Sequence, residues 1–336
     1  MRLGVLDVGS NTVHLLVVDA HRGGHPTPMM SDKVELRLAE HLDPSGALTL
    51  AGAQALVRAV QRARATAAEA GCADLLAFAT SALRDATNSV AVLAEVRERT
   101  GVALEILPGP DEARYTFLAV RRWYGWSAGR LLVLDIGGGS LELAAGLDEL
   151  PAVAESLPLG AGRLTREWFR SDPPPRTEID RLREHLDHQL APVVRSLRVA
   201  GAPDLAVGTS KTFRSLARLT GAAPAGAGPR ARRVLTHVGL RQLSAFITRM
   251  SSGDLSELDG VSPSRAHQLV AGALVAEATM RALEVVQLEL CPWALREGVI
   301  LRRLDTLDGM AQTDRSAQDA LSGLGCLTSY EARCTG

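Results

Sequence analysis

Short apolar runs alternate with helix-type repeats along most of the chain. The runs Leu3–Val8 and Val13–Val18 flank a polar turn, which predicts a β-hairpin. Between residues 50 and 70 the apolar side chains recur every three or four positions, a spacing that predicts an amphipathic helix. A strand of the buried type at Leu75–Ala79 and two more helical patterns follow before residue 124. Strands and helices in alternation indicate an α/β fold.

The hairpin pattern occurs a second time, about one domain later. An apolar run at Leu131–Ile136 leads through Gly-Gly-Gly-Ser into a second run at Leu141–Ala145. When LGVLDVGSNTVHL is set against LLVLDIGGGSLEL without gaps, Asp7 aligns with Asp135 and His14 with Glu142. One such turn is common by chance, but two that match over a dozen residues indicate an internal duplication.

The remaining pattern sets the predicted domain organisation. After the second hairpin we predict a helix within residues 173–198, a strand at 205–207, a helix from Phe213, a flexible loop at 221–233, and helices at 239–250, 263–283 and 293–304. We therefore predict a first domain at residues 1–124 that is completed by the helix at 293–306, a second domain at 125–292, and an irregular tail at 307–336.

Each repeated turn has the chemistry of a phosphate site. Glycines let backbone N–H groups approach an anion because no Cβ blocks the way. The N-terminal turn offers Asp7, Gly9, Ser10, Asn11 and Thr12, the second turn offers Gly137, Gly138, Gly139 and Ser140, and a third strand-to-helix turn offers Gly208, Thr209, Ser210 and Lys211. Asp135 and Glu142 flank the second turn, and two carboxylates beside a phosphate site are a usual arrangement for Mg²⁺. The alternative for each turn is a capping or glycine-rich turn with solvated acids.

Two charged residues are ambiguous on spacing alone. Glu112 lies in the first turn of a predicted helix, where the positive helix end favours its ionised form. It could orient or deprotonate a water there, although ordinary helix-dipole complementarity explains the same position. Arg84 follows a strand end, where ligands bind in open α/β sheets, and could bind a phosphate with two N–H groups. In a chain rich in arginine, it could equally be a surface residue.

The composition excludes several classes of protein. The 336 residues, 46% of them hydrophobic, can form a large core, and 37 basic against 38 acidic residues give a net charge of −1, unlike a general nucleic-acid or membrane-surface binder. Asp7 comes too early for a signal peptide, and no uncharged apolar stretch reaches the roughly 18 residues of a membrane span. Four cysteines without a C-x-x-C pair fit a reducing cytoplasm. Lysine occurs only at Lys33 and Lys211, which suggests a local chemical demand at these positions.

Taken together, the motifs resemble one family. They are DVGSNTVHLLV at 7–17, ELRLAEHL at 35–42, TSALRDATN at 80–88, LPGPDEAR at 107–114, LDIGGGSLEL at 134–143, SLPLGAGRLT at 156–165, VGTSKTFRSLARL at 207–219 and ALREGVIL at 294–301. In this order they resemble the exopolyphosphatase/guanosine pentaphosphate phosphohydrolase family of the actin–sugar kinase–heat-shock chaperone superfamily. The chain looks most like the short, two-domain exopolyphosphatases.

The resemblance implies a fold, an activity and a set of roles. It implies two actin-like (ribonuclease H-like) domains around an interdomain cleft, each with one phosphate hairpin. It implies Mg²⁺, with Mn²⁺ as an alternative and no organic cofactor, and release of terminal orthophosphate from inorganic polyphosphate. Glu112 maps to the catalytic base, Arg84 to the phosphate arginine, and Asp135, Ser140 and Glu142 to the metal and phosphate residues. The N-terminal hairpin maps to Asp7, Ser10 and Asn11, with Asp7 as a further expected metal ligand.

Several expectations stay open at this stage. Lys211 replaces a usual Gly and Asp111 a usual Glu, and either change could alter the site. The chain stops at Gly336 without the C-terminal regions of the long members, so we expect a preference for short polyphosphate. The rivals are hydrolysis of guanosine pentaphosphate to the tetraphosphate, an ATP-binding kinase or actin-like assembly protein, and a nucleotide sensor that guanosine tetraphosphate would bind or inhibit. The resemblance also makes a homodimer plausible, with neither nucleic acid nor membrane as a partner.

Overall fold

The computed structural model describes residues 1–21 and 23–307. Its first sheet has five strands in the order β3-β2-β1-β4-β5. These are β1 (Arg2–Val8), β2 (Thr12–Asp19), β3 (Pro28–Glu35), β4 (Asp74–Ala79) and β5 (Glu105–Ile106). β1 pairs antiparallel with β2, which confirms the predicted hairpin, and parallel with β4. Most of the predicted irregular tail, from residue 308 onward, lies outside the described residues.

The second sheet repeats the first and adds one strand. Its order is β10-β11-β9-β6-β7-β8. The strands are β6 (Leu131–Ile136), β7 (Leu141–Gly146), β8 (Val153–Leu157), β9 (Leu205–Gly208), β10 (Val234–Thr236) and β11 (Gln287–Leu290). Five of them, β8-β7-β6-β9-β11, follow the order of the first sheet, with the same parallel and antiparallel neighbours. The predicted internal duplication is confirmed at the level of topology.

Helices cover both sheets. They are α1 (Leu50–Glu69), α2 (Ser81–Arg84), α3 (Ser89–Thr100), α4 (Gly109–Tyr124), α5 (Ala161–Trp168), α6 (Arg176–Arg198), α7 (Lys211–Leu219), α8 (His237–Ile247), α9 (Ser252–Ser256), α10 (Leu269–Ala282) and α11 at residues 295–307. α1 begins where the Thr49 side chain accepts a hydrogen bond from the Gly52 N–H, and it buries the predicted apolar face. α3 ends at Gly101, whose φ of 69° suits a residue without a Cβ.

Two helices connect the halves of the molecule. α4 packs Phe117 and Val120 against Val133 of the second sheet. α11, at residues 295–307, corresponds to the helix predicted at 293–306. It packs Ile300 against Leu3 of the first sheet. The domain boundary at residues 124 and 125 stays a prediction, because neither contact assigns it.

Gly298 lets α11 approach α4 closely. A Cβ at this position would overlap the main-chain carbonyl group of Tyr115. Replacing Gly298 with alanine is therefore expected to lower the free energy of unfolding by about 1–3 kcal/mol, because the two helices must move apart. Urea unfolding measures this loss. Gly226→Ala is the matched control, because its added Cβ would meet no heavy atom within 4 Å. Equal stability of Gly298→Ala and wild type would contradict the packing described here.

The segment predicted as a flexible loop is internally hydrogen-bonded. Residues 225–227 form a 3-10 turn, and the Arg233 guanidinium donates to the carbonyl oxygens of Ala223, Pro224 and Gly228 at 2.9, 2.7 and 3.0 Å. Composition indicated flexibility here because glycine and alanine dominate the segment, but one arginine satisfies its carbonyls. Among the described residues, no helix has the length and apolar character needed to cross a bilayer.

Candidate active site

The two hairpins make the same turn. In the first, the Gly9 N–H donates to the Thr12 carbonyl at 2.9 Å, and in the second the Gly137 N–H donates to the Ser140 carbonyl at 2.9 Å. Asp7 pairs with His14 across β1 and β2, as Asp135 pairs with Glu142 across β6 and β7. The duplication inferred from the sequence therefore extends to individual hydrogen bonds.

The hairpins face each other closely. A Cβ on Gly138 would lie 3.0 Å from Asn11 Nδ2, and a Cβ on Gly139 would lie 3.2 Å from Ser10 Oγ and overlap Ser81 Oγ. The Ser10 and Ser81 hydroxyls are themselves 2.9 Å apart. Glycine is favoured at both positions because the first hairpin, and at Gly139 also Ser81 of α2, occupies the space that a side chain would need. The two turns thus form one shared crevice.

A buried pair of amides fixes the crevice from the side. Asn11 Nδ2 donates to Gln268 Oε1 at 3.2 Å, and Gln268 Nε2 donates to Asn11 Oδ1 at 3.0 Å. Both residues are buried, so losing either amide would leave the other without its partner. The sequence analysis named Asn11 but missed Gln268, whose only signal is its position before the apolar helix α10.

Equivalent positions beside the two turns differ in charge. Cross-strand register places Asp135, Glu142 and Ser156 in one row across β6, β7 and β8. The equivalent row of the first sheet is Asp7, His14 and Lys33. Burial, followed by the charge of Arg296, lowers the pKa of His14 to about 4, so His14 is neutral at pH 7. The row beside the second turn is therefore acidic, with Asp135 and Glu142, whereas the row beside the first turn has one acid, Asp7, and one cation, Lys33.

Glu112 and Arg84 meet at the acidic side of the crevice. α4 starts beside β8, where a Cβ on Gly109 would overlap the side chain of Ser156. Glu112, in the first turn of α4, is only 7% exposed and accepts a hydrogen bond from Arg84 Nη1. Arg84 also donates to the Leu107 carbonyl at 3.3 Å. The structure thus brings together two residues that spacing alone left ambiguous.

The environment of Glu112 reverses one expectation. Burial, and secondly the charge of Glu142, raise the pKa of Glu112 to about 9, while Arg84 acts in the opposite direction. The prediction that the helix end keeps this carboxylate ionised was wrong in direction, because burial outweighs the helix dipole. A raised pKa makes the ionised carboxylate a stronger proton acceptor.

The third predicted turn is partly occupied by its own hydrogen bonds. The Thr209 hydroxyl donates to Asp135 Oδ2, and the Ser210 hydroxyl oxygen caps α7 by accepting from the Phe213 N–H at 3.3 Å. Gly208 continues β9, and a Cβ there would lie 3.0 Å from the Phe213 ring. Lys211 is the first residue of α7 and lines a small cavity with Arg265 and Gln268. Thr209 therefore orients Asp135, which leaves Lys211 as the cationic side chain of this turn.

Two of the predicted metal ligands, Asp7 and Glu142, already accept hydrogen bonds from other side chains. Asp7 Oδ2 accepts from Arg296 Nη1 at 3.1 Å, and Glu142 Oε1 accepts from Ser156 Oγ at 3.0 Å. Within residues 1–21 and 23–307, no three His, Cys, Asp or Glu side chains lie close enough to hold a metal ion by themselves. Mg²⁺ usually takes one or two protein carboxylates and completes its shell with water and substrate phosphate. The carboxylates Asp7 and Asp135, one from each hairpin, fit that requirement, and magnesium stays a prediction.

Fold and site together define a class of protein. Two related α/β halves hold facing phosphate-type hairpins, with a buried glutamate and an arginine at one side of the crevice. Over residues 17–307 the chain matches the Ppx/GppA phosphatase family. The chain belongs to this family.

Individual relatives agree with this assignment. The chain is 64% identical over 318 residues to Exopolyphosphatase 1 of Mycobacterium tuberculosis, covering 94% of this chain and 92% of that protein. It is 29% identical to a guanosine-5'-triphosphate,3'-diphosphate pyrophosphatase of Vibrio campbellii, of which the match covers 62%.

Solved structures share the α/β architecture of this chain. The crystal structure of the Aquifex aeolicus Ppx/GppA family member matches with a TM-score of 0.76 at 26% identity, over 91% of this chain and 98% of that one. An exopolyphosphatase from Cytophaga hutchinsonii matches with a TM-score of 0.82 over 91% of this chain and 98% of that one. At 22% identity, the second match bears on the fold alone.

Proposed function

We propose that this protein is an exopolyphosphatase, a phosphoric anhydride hydrolase that releases terminal orthophosphate from inorganic polyphosphate. The observation that carries the proposal is the shared crevice, in which Ser10 and Asn11 of one hairpin face Gly138 and Gly139 of the other. Turns of this kind bind phosphate through their backbone N–H groups. The 64% identity to a protein named Exopolyphosphatase 1 supports polyphosphate as the substrate.

In this proposal the terminal phosphoryl group binds against both hairpin turns at the edge of the crevice, because the turns touch at Asn11 and Gly138 and leave no room for it there. Backbone N–H groups of the two turns and the Ser140 hydroxyl donate to its oxygens, and Arg84 adds positive charge. Fixed donors of this kind stabilise the charge that develops during phosphoryl transfer without needing to reorganise. Asp7 and Asp135 would hold a magnesium ion, which would supply further positive charge to the phosphoryl group.

Glu112 acts as the base toward the attacking water. The water oxygen forms a bond to the terminal phosphorus, and the bond from that phosphorus to the bridging oxygen breaks. The leaving polyphosphate keeps the bonding electron pair, and the proton of the water passes to Glu112. Arg84, which donates to Glu112, positions the carboxylate beside the phosphoryl group. In this scheme only the ionised form of Glu112 is active.

The pH dependence follows from the same scheme. Burial raises the pKa of Glu112, so the carboxyl is protonated and inactive below that pKa and becomes active as the pH rises through it. We expect kcat/KM to increase from about pH 6 to pH 9, well above the range of an ordinary glutamate. A pH–rate profile measures this, with a stability profile over the same range as the control. A kcat/KM that is flat from pH 5 upward would contradict the role of Glu112.

The proposed activity is tested by measuring orthophosphate release from polyphosphates of defined length, with Mg²⁺, with Mn²⁺ and with excess chelator. We expect one orthophosphate per cleavage and loss of turnover with chelator. Products shortened from the middle of the chain would contradict terminal cleavage. Turnover that is unchanged with chelator would remove magnesium from the scheme but leave the activity in place.

A second candidate is hydrolysis of guanosine pentaphosphate to the tetraphosphate. The similarity to the Vibrio campbellii pyrophosphatase favours it, because the same hairpins could hold the terminal 5'-phosphate. Competition between the two substrates separates the candidates. We expect polyphosphate to have the higher kcat/KM. A higher kcat/KM for guanosine pentaphosphate would make hydrolysis of the nucleotide the main activity and would contradict the first proposal.

A further inference from the structure

The only two lysines of the sequence lie on the same side of the crevice. Lys33 is on β3, and Lys211 is the first residue of α7 in the other half of the molecule. Ser264 Oγ donates to Glu35 Oε1 at 2.7 Å and so holds β3 beside the segment that carries Arg265. Lys33 and Glu35 are two residues apart on one strand and therefore share a face. Arg265 and Lys211 line the same small cavity.

We call Lys33, Lys211 and Arg265 the cation cluster. Among the described residues none of the three forms a direct ion pair, although the charge of Glu35 acts on all of them. Arg62, Arg163 and Arg296 each have a carboxylate partner within 4 Å. Within residues 1–21 and 23–307, no member of the cluster has a carboxylate that close. After burial, the charge of Lys33 is the largest cause that lowers the pKa of Lys211. Three cations share one nearby carboxylate, Glu35, so the cluster keeps an excess of positive charge that a bound polyanion would offset.

The cluster lies opposite the proposed base. In the second sheet, β9 is one neighbour of β6 and leads to Lys211, whereas the other neighbour, β7, leads to β8 and the start of α4. Glu112 and Lys211 are thus on opposite sides of Asp135, the last residue but one of β6. In phosphoryl transfer the attacking and leaving oxygens are roughly in line through the phosphorus. A water that enters from Glu112 expels a leaving group toward the cluster.

We propose that Lys211, together with Lys33 and Arg265, binds the phosphates of the leaving polyphosphate and determines the affinity for linear polyanions. The inference rests on the proposed exopolyphosphatase function. Lys211 contacts phosphates beyond the scissile bond, and this contact is equally strong in the bound substrate and in the transition state. Lys211 therefore contributes to substrate binding and not to the chemical step. Uniform binding of this kind changes KM and leaves kcat unchanged.

The test replaces Lys211 with glutamine in the full chain and uses a short polyphosphate of defined length as the probe. Loss of one charge-assisted contact is expected to raise KM roughly ten- to one-hundredfold, with kcat within about twofold of wild type. Lys211→Arg keeps the charge and is expected to restore most of the lost affinity. Arg241→Gln, at an exposed position on α8, is the matched control and should leave both constants unchanged.

The outcomes separate the inference from the function on which it rests. If wild type releases no orthophosphate from polyphosphate, the proposed function fails. If wild type is active and Lys211→Gln has an unchanged KM, the leaving-group site is wrong while the function stands. A fall in kcat at constant KM would also overturn the inference, because it would place Lys211 at the transferred phosphoryl group. Thermal unfolding of each variant shows whether a change reflects the site or the fold.

Discussion

Replacing Glu112 with glutamine is expected to lower kcat for orthophosphate release by about 10²- to 10⁴-fold. Glutamine keeps the shape of the side chain and can still accept a hydrogen bond from Arg84, but it cannot take the proton of the attacking water. KM should change little, because Glu112 faces the water rather than the phosphates. The fold should persist, because burial already disfavours the charge that the substitution removes. Steady-state kinetics and urea unfolding measure the two effects.

Asp111→Asn is the matched control for this variant. Asp111 precedes Glu112 in the same helical turn, but it is only half-buried and pairs with Arg114 at 2.6 Å. It should retain turnover close to that of wild type. An equal loss of kcat in both variants would assign the effect to the charge of the helix start, and normal turnover of Glu112→Gln would remove it as the base.

Replacing Gly139 with alanine is expected to lower kcat/KM by about a hundredfold. The added Cβ would overlap the side chain of Ser81 on α2 and lie 3.2 Å from Ser10 Oγ, so the second hairpin must move away from α2 and from the first hairpin. A displacement of about 1 Å between groups that hold a reacting phosphoryl group can cost about this factor. The substitution adds no charge and has no contact with Glu112, so the loss would come from the spacing between the second hairpin and its neighbours, the first hairpin and the helix α2 that carries Arg84.

Gly253→Ala serves as the control for the spacing experiment. Gly253 lies in α9, and its added Cβ would meet its nearest heavy atom, Ser251 Oγ, at an ordinary van der Waals distance of 3.5 Å. It is more than a hundred residues from either hairpin in the sequence. This variant should have normal kinetics. If Gly139→Ala also shows normal kcat/KM and normal stability, the phosphoryl group does not bind against both turns.

Much of the fold was predictable because its strands and helices repeat. The match of LGVLDVGSNTVHL with LLVLDIGGGSLEL predicted a duplicated hairpin, and the structure extends it to a duplicated sheet order. The strands that the sequence analysis missed are short or polar. β5 has two residues, and β3, PMMSDKVE, is half exposed on a sheet edge, so neither has a strong apolar pattern. Their positions depend on tertiary pairing.

The site was predictable only where the functional residues are neighbours in the sequence. Glycine turns and their adjacent carboxylates can be found from local pattern, as at Gly137 and Asp135. Gln268 and Arg296 could not be found in this way, because each contacts the first hairpin, which is more than two hundred residues away in the sequence. The scarcity of lysine was a usable signal for Lys33, although composition alone did not say where it lies. The pKa of Glu112 also depended on burial, which no helix position reveals.

The central claim is that both hairpins hold one terminal phosphoryl group. The most direct measurement is a crystal structure of the Glu112→Gln variant with Mg²⁺ and a short polyphosphate. The account predicts a terminal phosphate in contact with both turns, with Ser10 and Asn11 of the first and with Gly138, Gly139 and Ser140 of the second. The rest of the polyphosphate should run toward Lys211. A terminal phosphate bound to a single hairpin, or outside the crevice, would contradict the account.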